Sequence, residues 1–295
     1  MSEKYLMANG LRLCYEEFGS PCDPTIILIM GLGTQMTSWP DTFCETLATN
    51  SYRVIRFDNR DIGLSEKIDT DKAPNLLSLM IRSRLGLQVS VPYTLRDMAR
   101  DTIGLLDALS IERAHWVGAS MGGMIAQLLA AEYPQRTLSL TSIMSTTGRH
   151  GLPQAPLRVL RQMSSRPSAQ NKDAYVKHAM QTWALIGSPD YPPEPDELRA
   201  RILKSLSRCY YPSGYRNQAA AIIECGDRRG VLHRITCPTL VIHGKADILV
   251  PVEGGIETAQ NIKNAKLELI QGMGHDFPKQ LIPKIVKMII NHIDQ

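Results

Sequence analysis

Apolar positions along this chain fall into short continuous runs, separated by longer segments in which they recur every three or four residues. The run Thr25-Ile26-Ile27-Leu28-Ile29-Met30 is unbroken and rich in β-branched residues, the pattern of a strand covered on both faces of a parallel sheet. Tyr52 to Asp58, His115 to Val117, Leu138 to Met144, Thr239 to Gly244 and Lys266 to Ile270 predict further strands. Between them the spacing predicts helices over Pro40 to Thr49, Leu95 to Leu109 (with Thr94 placed to cap it), Met124 to Tyr133, Gly254 to Ile262 and Leu281 to Ile293. Near the start, Leu11 to Glu17 alternates instead, as a half-buried strand of an early hairpin would. Strand and helix in regular alternation require crossover connections. The expectation is an α/β fold: a mostly parallel, doubly wound sheet flanked by helices.

From about Gly148 to Gly230 the strands stop. Prolines cluster at Pro189, Pro192, Pro193 and Pro195, and helical segments such as Lys172 to Trp183 and Asp196 to Cys209 take over. This predicts a core of residues 1–147 and 231–295, interrupted by a helical cap at 148–230. A second departure is Asn75 to Val91, where Leu76, Leu77, Leu79, Met80, Ile81, Leu85 and Leu87 sit among Arg82 and Arg84. It reads as a lid-like extension packed against the cap, in preference to a surface that touches lipid.

Composition narrows the function classes. The chain has 295 residues, 43% hydrophobic and 21% charged, with a net charge of +4, ordinary values for a globular enzyme. Lys and Arg are scattered without a basic stripe, so no nucleic-acid partner is expected. The longest apolar stretches, around Thr25 to Gly33 and Trp116 to Ala131, are broken by glycines and polar residues, and no membrane span is expected. The first residues show no basic region leading into an apolar run, which makes a cytoplasmic location the expectation. Six dispersed cysteines contain no C-x-x-C pair, so reduced thiols and no metal site are expected.

The chemistry concentrates where one strand ends. His115 to Val117 runs into Gly118-Ala119-Ser120-Met121-Gly122, and a helix-forming series follows. A serine between strand and helix sits on a sharp turn, and the glycines around it let the two elements pass closely. A plain glycine-rich turn would look the same, so the weight falls on the partners. A serine hydroxyl is a poor nucleophile at neutral pH and needs a base in hydrogen-bond reach, itself oriented by a third group. Both belong on loops at the carboxyl ends of the strands.

Of seven histidines, only His275, in Gly272-Met273-Gly274-His275-Asp276, follows a predicted strand directly in a glycine-rich loop. His115 starts its strand and His243 lies inside one. His150, His178 and His233 fall in or beside the cap, and His292 in the last helix. For the orienting acid, Asp247 stands just past a strand end in Gly244-Lys245-Ala246-Asp247, although an aspartate there also suits a simple turn cap. The loop Ser145-Thr146-Thr147-Gly148 offers no carboxylate, and Asp276 adjoins the histidine, where adjacent side chains rarely meet. The order Ser120, Asp247, His275 is the one this architecture uses. The oxyanion of acyl transfer would be held by the backbone N–H of Met121, immediately after the serine, and by that of Leu32, in the loop after the strand Thr25 to Met30.

Met30-Gly31-Leu32-Gly33 through Trp39, Asp58-Asn59-Arg60-Asp61-Ile62-Gly63-Leu64-Ser65, Gly118 to Gly122, Gly244 to Asp247 and Gly272 to His275 occur in this order. Together they resemble the α/β-hydrolase superfamily over essentially the whole chain. Within it they are most similar to small bacterial carboxylic-ester hydrolases of the aclacinomycin methylesterase type. The resemblance implies a serine hydrolase without cofactor or metal, whose cap covers the site and selects substrates. Two departures stand out: Met30 replaces the histidine of many relatives, and Asp61 replaces a usual glycine.

The cap supplies Met163, Trp183, Leu185, Ile186, Tyr210 and Tyr211 as candidate pocket wall, with Trp183, Tyr210 and Tyr211 the first choices. Each would serve equally in packing the cap on itself. The expected activity is hydrolysis of small to medium, mostly apolar carboxylic esters, with a small-molecule ester as partner. Two other readings remain: a peptidase for N-terminal proline, with Glu194, Asp196 and Glu197 holding the free amine, and a ligand-binding protein that keeps the triad and turns over slowly.

Overall fold

In the computed structural model, residues 2–69, 74–165, 167 and 171–294 are described. The early hairpin pairs β1 (Lys4–Ala8) with the alternating β2 (Leu11–Phe18). The unbroken apolar run becomes β3 (Thr25–Ile29), buried at every residue. Then come α1 (Asp41–Thr49), β4 (Arg53–Phe57), α2 (Leu76–Arg84) and α3 (Leu95–Ala108). Thr94 caps α3 through a reciprocal pair of bonds with Asp97. The centre of the sheet is β5 (Ala114–Ala119), followed by α4 (Met121–Glu132) and β6 (Thr137–Ile143).

Between β6 and the next strand the described residues form helices: α5 (Leu157–Ser164), α6 (Lys172–Ile186), α7 (Pro195–Arg208), α8 (Pro212–Cys225) and the short α9 (Arg229–Leu232). The alternation then resumes with β7 (Thr239–Gly244), α10 (Glu253–Gln260), β8 (Lys266–Ile270) and α11 (Ile282–Ile293).

The strands form one eight-stranded sheet in the order β1-β2-β4-β3-β5-β6-β7-β8. The pairs β1–β2 and β2–β4 are antiparallel, and every other pair is parallel. Strand residues alternate between two apolar layers, as a period of two demands. Ile27, Ile29, Ile55 and Phe57 pack with Met98, Leu105, Ile125 and Leu128 of α3 and α4. Ile26, Leu28, Val54 and Val117 pack on the other face with Phe43 and Leu47 of α1 and Ile285 and Ile289 of α11. This is the expected α/β-hydrolase arrangement. Register brings Ile29 beside Gly118, Gly118 beside Ser142, and Ile143 beside Ile242. The carboxyl ends of β3, β5, β6 and β7 therefore share one edge.

One element boundary differs instructively from expectation. α4 starts at Met121 rather than Met124, because Gly122 and Gly123 are fully packed and tertiary contacts override the poor helix propensity of glycine. Asn75 to Val91 contains a helix, α2, that lies against α8, where Ser83 Oγ donates to Ile223 O at 3.3 Å. Among the described residues no helix is long and apolar enough to cross a membrane.

A buried ion pair fastens the loop after β4 to α3. Arg60 Nε donates to Asp101 Oδ2 at 2.6 Å, Asn9 Nδ2 donates to Asp101 Oδ1 at 2.9 Å, and the guanidinium lies over the Tyr93 ring. Removing one member leaves the other charge buried and unpaired. Asp101→Ala should therefore lower the unfolding free energy by about 3–5 kcal/mol in urea titration; a loss near zero would mean that Arg60 finds another partner.

Candidate active site

β5 delivers the backbone to Ala119 and α4 takes over at Met121, so Ser120 makes the turn alone. It does so at φ 55°, ψ −119°, a conformation that costs a non-glycine residue about 1–3 kcal/mol. The turn closes because two neighbours lack a side chain. A Cβ on Gly122 would be driven into the Ile29 carbonyl, and one on Gly118 into the Gly122 carbonyl. The Ser120 N–H donates to Ile143 O at 2.9 Å, and Ser145 Oγ donates to Ser120 O at 2.8 Å, which pins the turn from the next strand.

His275 and Asp247 both reach this point. Ser120 Oγ is 3.0 Å from His275 Nε2, and His275 Nδ1 is 2.7 Å from Asp247 Oδ2. An ionised carboxylate only accepts, so Nδ1 carries the proton and Nε2 accepts from the serine hydroxyl. The other Asp247 oxygen accepts the N–H groups of Leu249 and Val250 at 3.0 and 2.9 Å. Burial pushes the Asp247 carboxyl up, but the charge interaction with His275 and hydrogen bonds from His243 and His275 outweigh it and hold the pKa down at about 2.

The histidine is held from the helical segment. The His275 N–H donates to Ile186 O at 2.8 Å, the last residue of α6, and the Gly274 N–H donates to Ser188 Oγ at 2.8 Å. Ser188 in turn donates to Asp276 Oδ1. Asp276 therefore points to Ser188 and not at its sequence neighbour His275. Sequence reasoning missed Ser188 and Ser145, since neither carries a local signal. His243, read from sequence as a strand residue, donates from Nε2 to Val250 O at 2.8 Å and stands 3.5 Å from Asp247 Oδ2.

The two expected oxyanion donors lie at this edge. The Met121 N–H belongs to the first turn of α4, where backbone donors have no intrahelical acceptor and the helix dipole is positive. In the turn after β3, Gly33 N–H donates to Gln218 Oε1 and Thr34 N–H to Gly31 O, so these bonds do not use the N–H of Leu32. A Cβ on Gly31 would lie 3.1 Å from that of Ser120, which sets the turn directly beside the serine. Asn59 Nδ2 donates to Met30 O at 3.0 Å, and Asp58 Oδ1 accepts from Met36 N–H at 2.8 Å; both bonds brace this loop. Asp61 keeps the left-handed φ (70°) natural to the usual glycine, and its carboxylate accepts from Ile68 N–H and Asn217 Nδ2.

A cavity of about 1390 Å³ reaches Leu32 and Met124 near Ser120, and is lined further by residues of α2 and α5, Met163 among them, and by Tyr210 and Ile222. Of the three aromatic residues first chosen for substrate contact, only Tyr210 lines it; its hydroxyl donates to Pro167 O at 3.0 Å. Trp183 packs between α6 and its neighbours with Ile186 and Val176, under the Arg201 guanidinium. Tyr211 stacks with Lys67 just ahead of α8. Periodicity gave the apolar face of each helix without naming the partner that covers it. Glu194, Asp196 and Glu197 lie exposed at the start of α7, with Glu197 toward Lys279. Among the described residues no cluster of three or more His, Cys, Asp or Glu is arranged to hold a metal ion.

Residues 24–279 match the family described as alpha/beta hydrolase fold. The chain is 26% identical to the rhodomycin D methylesterase of Streptomyces peucetius, over 99% of this chain and 98% of that one. It is 28% identical to 3-oxoadipate enol-lactonase 2 of Acinetobacter baylyi, over 90% of this chain and 87% of that one. Among solved structures, the enol-lactonase of Burkholderia xenovorans superposes with a TM-score of 0.75 at 25% identity, covering 99% of this chain and all of that one.

Asp247 also makes a stability prediction. Its folded pKa of about 2 lies below the ordinary 3.8, so its contribution is complete above pH 4 and is lost as the pH falls toward 2. The shift corresponds to about 2 kcal/mol. In urea titrations, Asp247→Asn should be less stable than wild type at pH 5, and the gap should close between pH 4 and pH 2. A gap independent of pH would mean that this carboxyl is not held ionised by its surroundings.

Proposed function

We propose that this chain, which belongs to the alpha/beta hydrolase family, hydrolyses small to medium, mostly apolar carboxylic esters through an acyl-enzyme formed on Ser120. The observation that carries the reading is the bonded series Ser120 Oγ, His275 Nε2, His275 Nδ1, Asp247 Oδ2, drawn from three loops at one sheet edge. Supporting it, two relatives similar over most of the chain are named a methylesterase and an enol-lactonase, both names of ester-cleaving enzymes.

Ser120 attacks the ester carbonyl while His275 Nε2 takes its proton. The charge that develops on the carbonyl oxygen is met by the N–H groups of Met121 and Leu32, fixed before the reaction begins. Collapse of the tetrahedral intermediate breaks the bond to the alcohol, and His275 returns the proton to that alcohol as it leaves. Water then attacks the acyl-enzyme with His275 as base, and the acid departs, restoring Ser120. Asp247 keeps the imidazole in the required tautomer and stabilises its cation. All these steps use groups of the chain and water. The helices from α5 to α9 act as a cap over the site, with Met163 and Tyr210 among the residues facing the substrate.

Ser120→Ala should reduce turnover of p-nitrophenyl butyrate by about a million-fold, and Asp247→Asn by about ten-thousand-fold. A fluorophosphonate probe should label the wild type and leave Ser120→Ala unlabelled. Equal release of nitrophenol by wild type and Ser120→Ala would overturn the reading in favour of a binding protein. Faster cleavage of proline naphthylamide than of any ester would overturn it in favour of a peptidase.

A further inference from the structure

Large apolar side chains exposed on this surface are not scattered. Among the described residues, apart from Tyr5 and Met7 on β1, they are Leu77, Met80, Ile81, Leu85 and Leu87 in and after α2, and Leu157 and Leu160 in α5. Both groups contribute to one cavity, which Leu77 and Met80 of α2 and Leu157 and Leu160 of α5 line together with Leu32 and Met124. Leu77, Leu85 and Leu157 are each about two-thirds exposed, at 66%, 68% and 69%. Large apolar side chains gathered in exposed positions beside a cavity mark a place of contact.

The charges on these segments are of one sign. From residue 74 to 91 and from 148 to 165 the sequence holds Arg82, Arg84, Arg149, Arg158 and Arg161 and no Asp or Glu. Arg149 is paired with Glu257. The other four are exposed, and among the described residues none has an ion-pair partner; Arg82 turns its guanidinium to the Gln88 carbonyl. Leucines flanked by unneutralised arginines on short helices suit one chemistry well, a lipid–water interface carrying anionic phosphate. The apolar side chains enter the acyl boundary while the guanidiniums meet the headgroups.

We propose that α2, the turn through Leu87, and α5 dock on an anionic phospholipid surface, so that the cavity that α2 and α5 line opens to lipid and draws its apolar ester from there. The identity of the ester rests on the hydrolase reading above. Docking does not, since no residue of the docking surface belongs to the Ser120–His275–Asp247 series.

The test is sedimentation of the full chain with vesicles of phosphatidylcholine alone and of phosphatidylcholine with an equal amount of phosphatidylglycerol. Wild type should bind the anionic vesicles about tenfold or more tightly than the neutral ones. The triple variant Ile81→Gln, Leu85→Gln, Leu87→Gln should lose about tenfold in binding to the anionic vesicles. The double variant Arg82→Gln, Arg158→Gln should lose the preference for them. None of these side chains lines the cavity, so turnover of a soluble short-chain ester should stay at the wild-type level in both variants, which also reports that they fold. Ser120→Ala should bind vesicles as wild type does, so a failure of the hydrolase reading would leave docking standing. The proposal is overturned by absence of wild-type binding, or by equal binding of wild type and triple variant. It is also overturned by a wild-type dimer in analytical ultracentrifugation that the triple variant dissociates, which would make the face an interface between copies of the chain.

Discussion

The close approach of three backbone segments at Ser120 is the constraint from which the rest of the site follows. A left-handed serine persists only where its surroundings leave no alternative. Here β5 is fixed between β3 and β6 by parallel pairing on both sides, and α4 is buried along almost its whole length. Strand and helix directions are therefore set independently, and one residue must join them. The cost falls on Ser120, while glycine at 118 and 122 removes the collisions that would otherwise push the elements apart. The same geometry points the first N–H groups of α4 toward the space beside the serine. The serine hydroxyl and these N–H groups, nucleophile and oxyanion donor in the proposed reaction, thus come from one backbone feature.

A second set of buried polar groups ties the helical segment to this edge. Asp58, fully buried, accepts N–H groups from Met36 and Leu64 and pairs with Arg208 of α7 at 2.7 Å. Gln218 of α8 donates to Arg60 O and accepts from Gly33 N–H. Gln35 Nε2 donates to the carbonyls of Ser205 and Cys209. A buried polar group without a partner costs more than a formed bond contributes, so α7 and α8 cannot shift without leaving several such groups unpaired. The same bonds hold the turn that carries Leu32. α2 is tied to α8 through Ser83 and α5 to α6 through Gln162, with Leu79 and Val159 buried beneath them, while Leu77, Met80, Ile81, Leu157 and Leu160 of the same two helices face outward.

How far the sequence disclosed this depends on whether the determining contacts are local. Short unbroken runs rich in β-branched residues favour buried strands over helices, and the parallel order follows from their alternation with helices. Positions 120, 247 and 275 were legible because a strand end is a local feature and a topological rule places strand ends together. α8 escaped notice because its buried face is built from Gly214, Asn217, Gln218, Ala220 and Ala221, small or polar residues with no hydrophobic period. Ser188 escaped because its partners, Gly274 and Asp276, lie more than eighty positions along the chain. The face of α6 carrying Trp183 was visible, but which neighbour would cover it depends on how helices pack, and that has no signature in a single segment.

Asp247 shows most clearly how burial and charge are balanced here. A carboxylate with no exposed side-chain surface ought to take up a proton. It is kept ionised by two backbone N–H groups on one oxygen and, at the other, by His275 at 2.7 Å and His243 at 3.5 Å. The two histidines are not equivalent. Nε2 of His243 is committed to the Val250 carbonyl, and its Nδ1 lies buried beside Gly255 without a hydrogen-bond partner. That ring cannot also reach the serine. Only His275 has one nitrogen on the acid and the other on Ser120. An anion that stays an anion fixes the Nδ1 proton of His275, leaves Nε2 free to accept, and in the proposed reaction meets the imidazolium with a charge already in place.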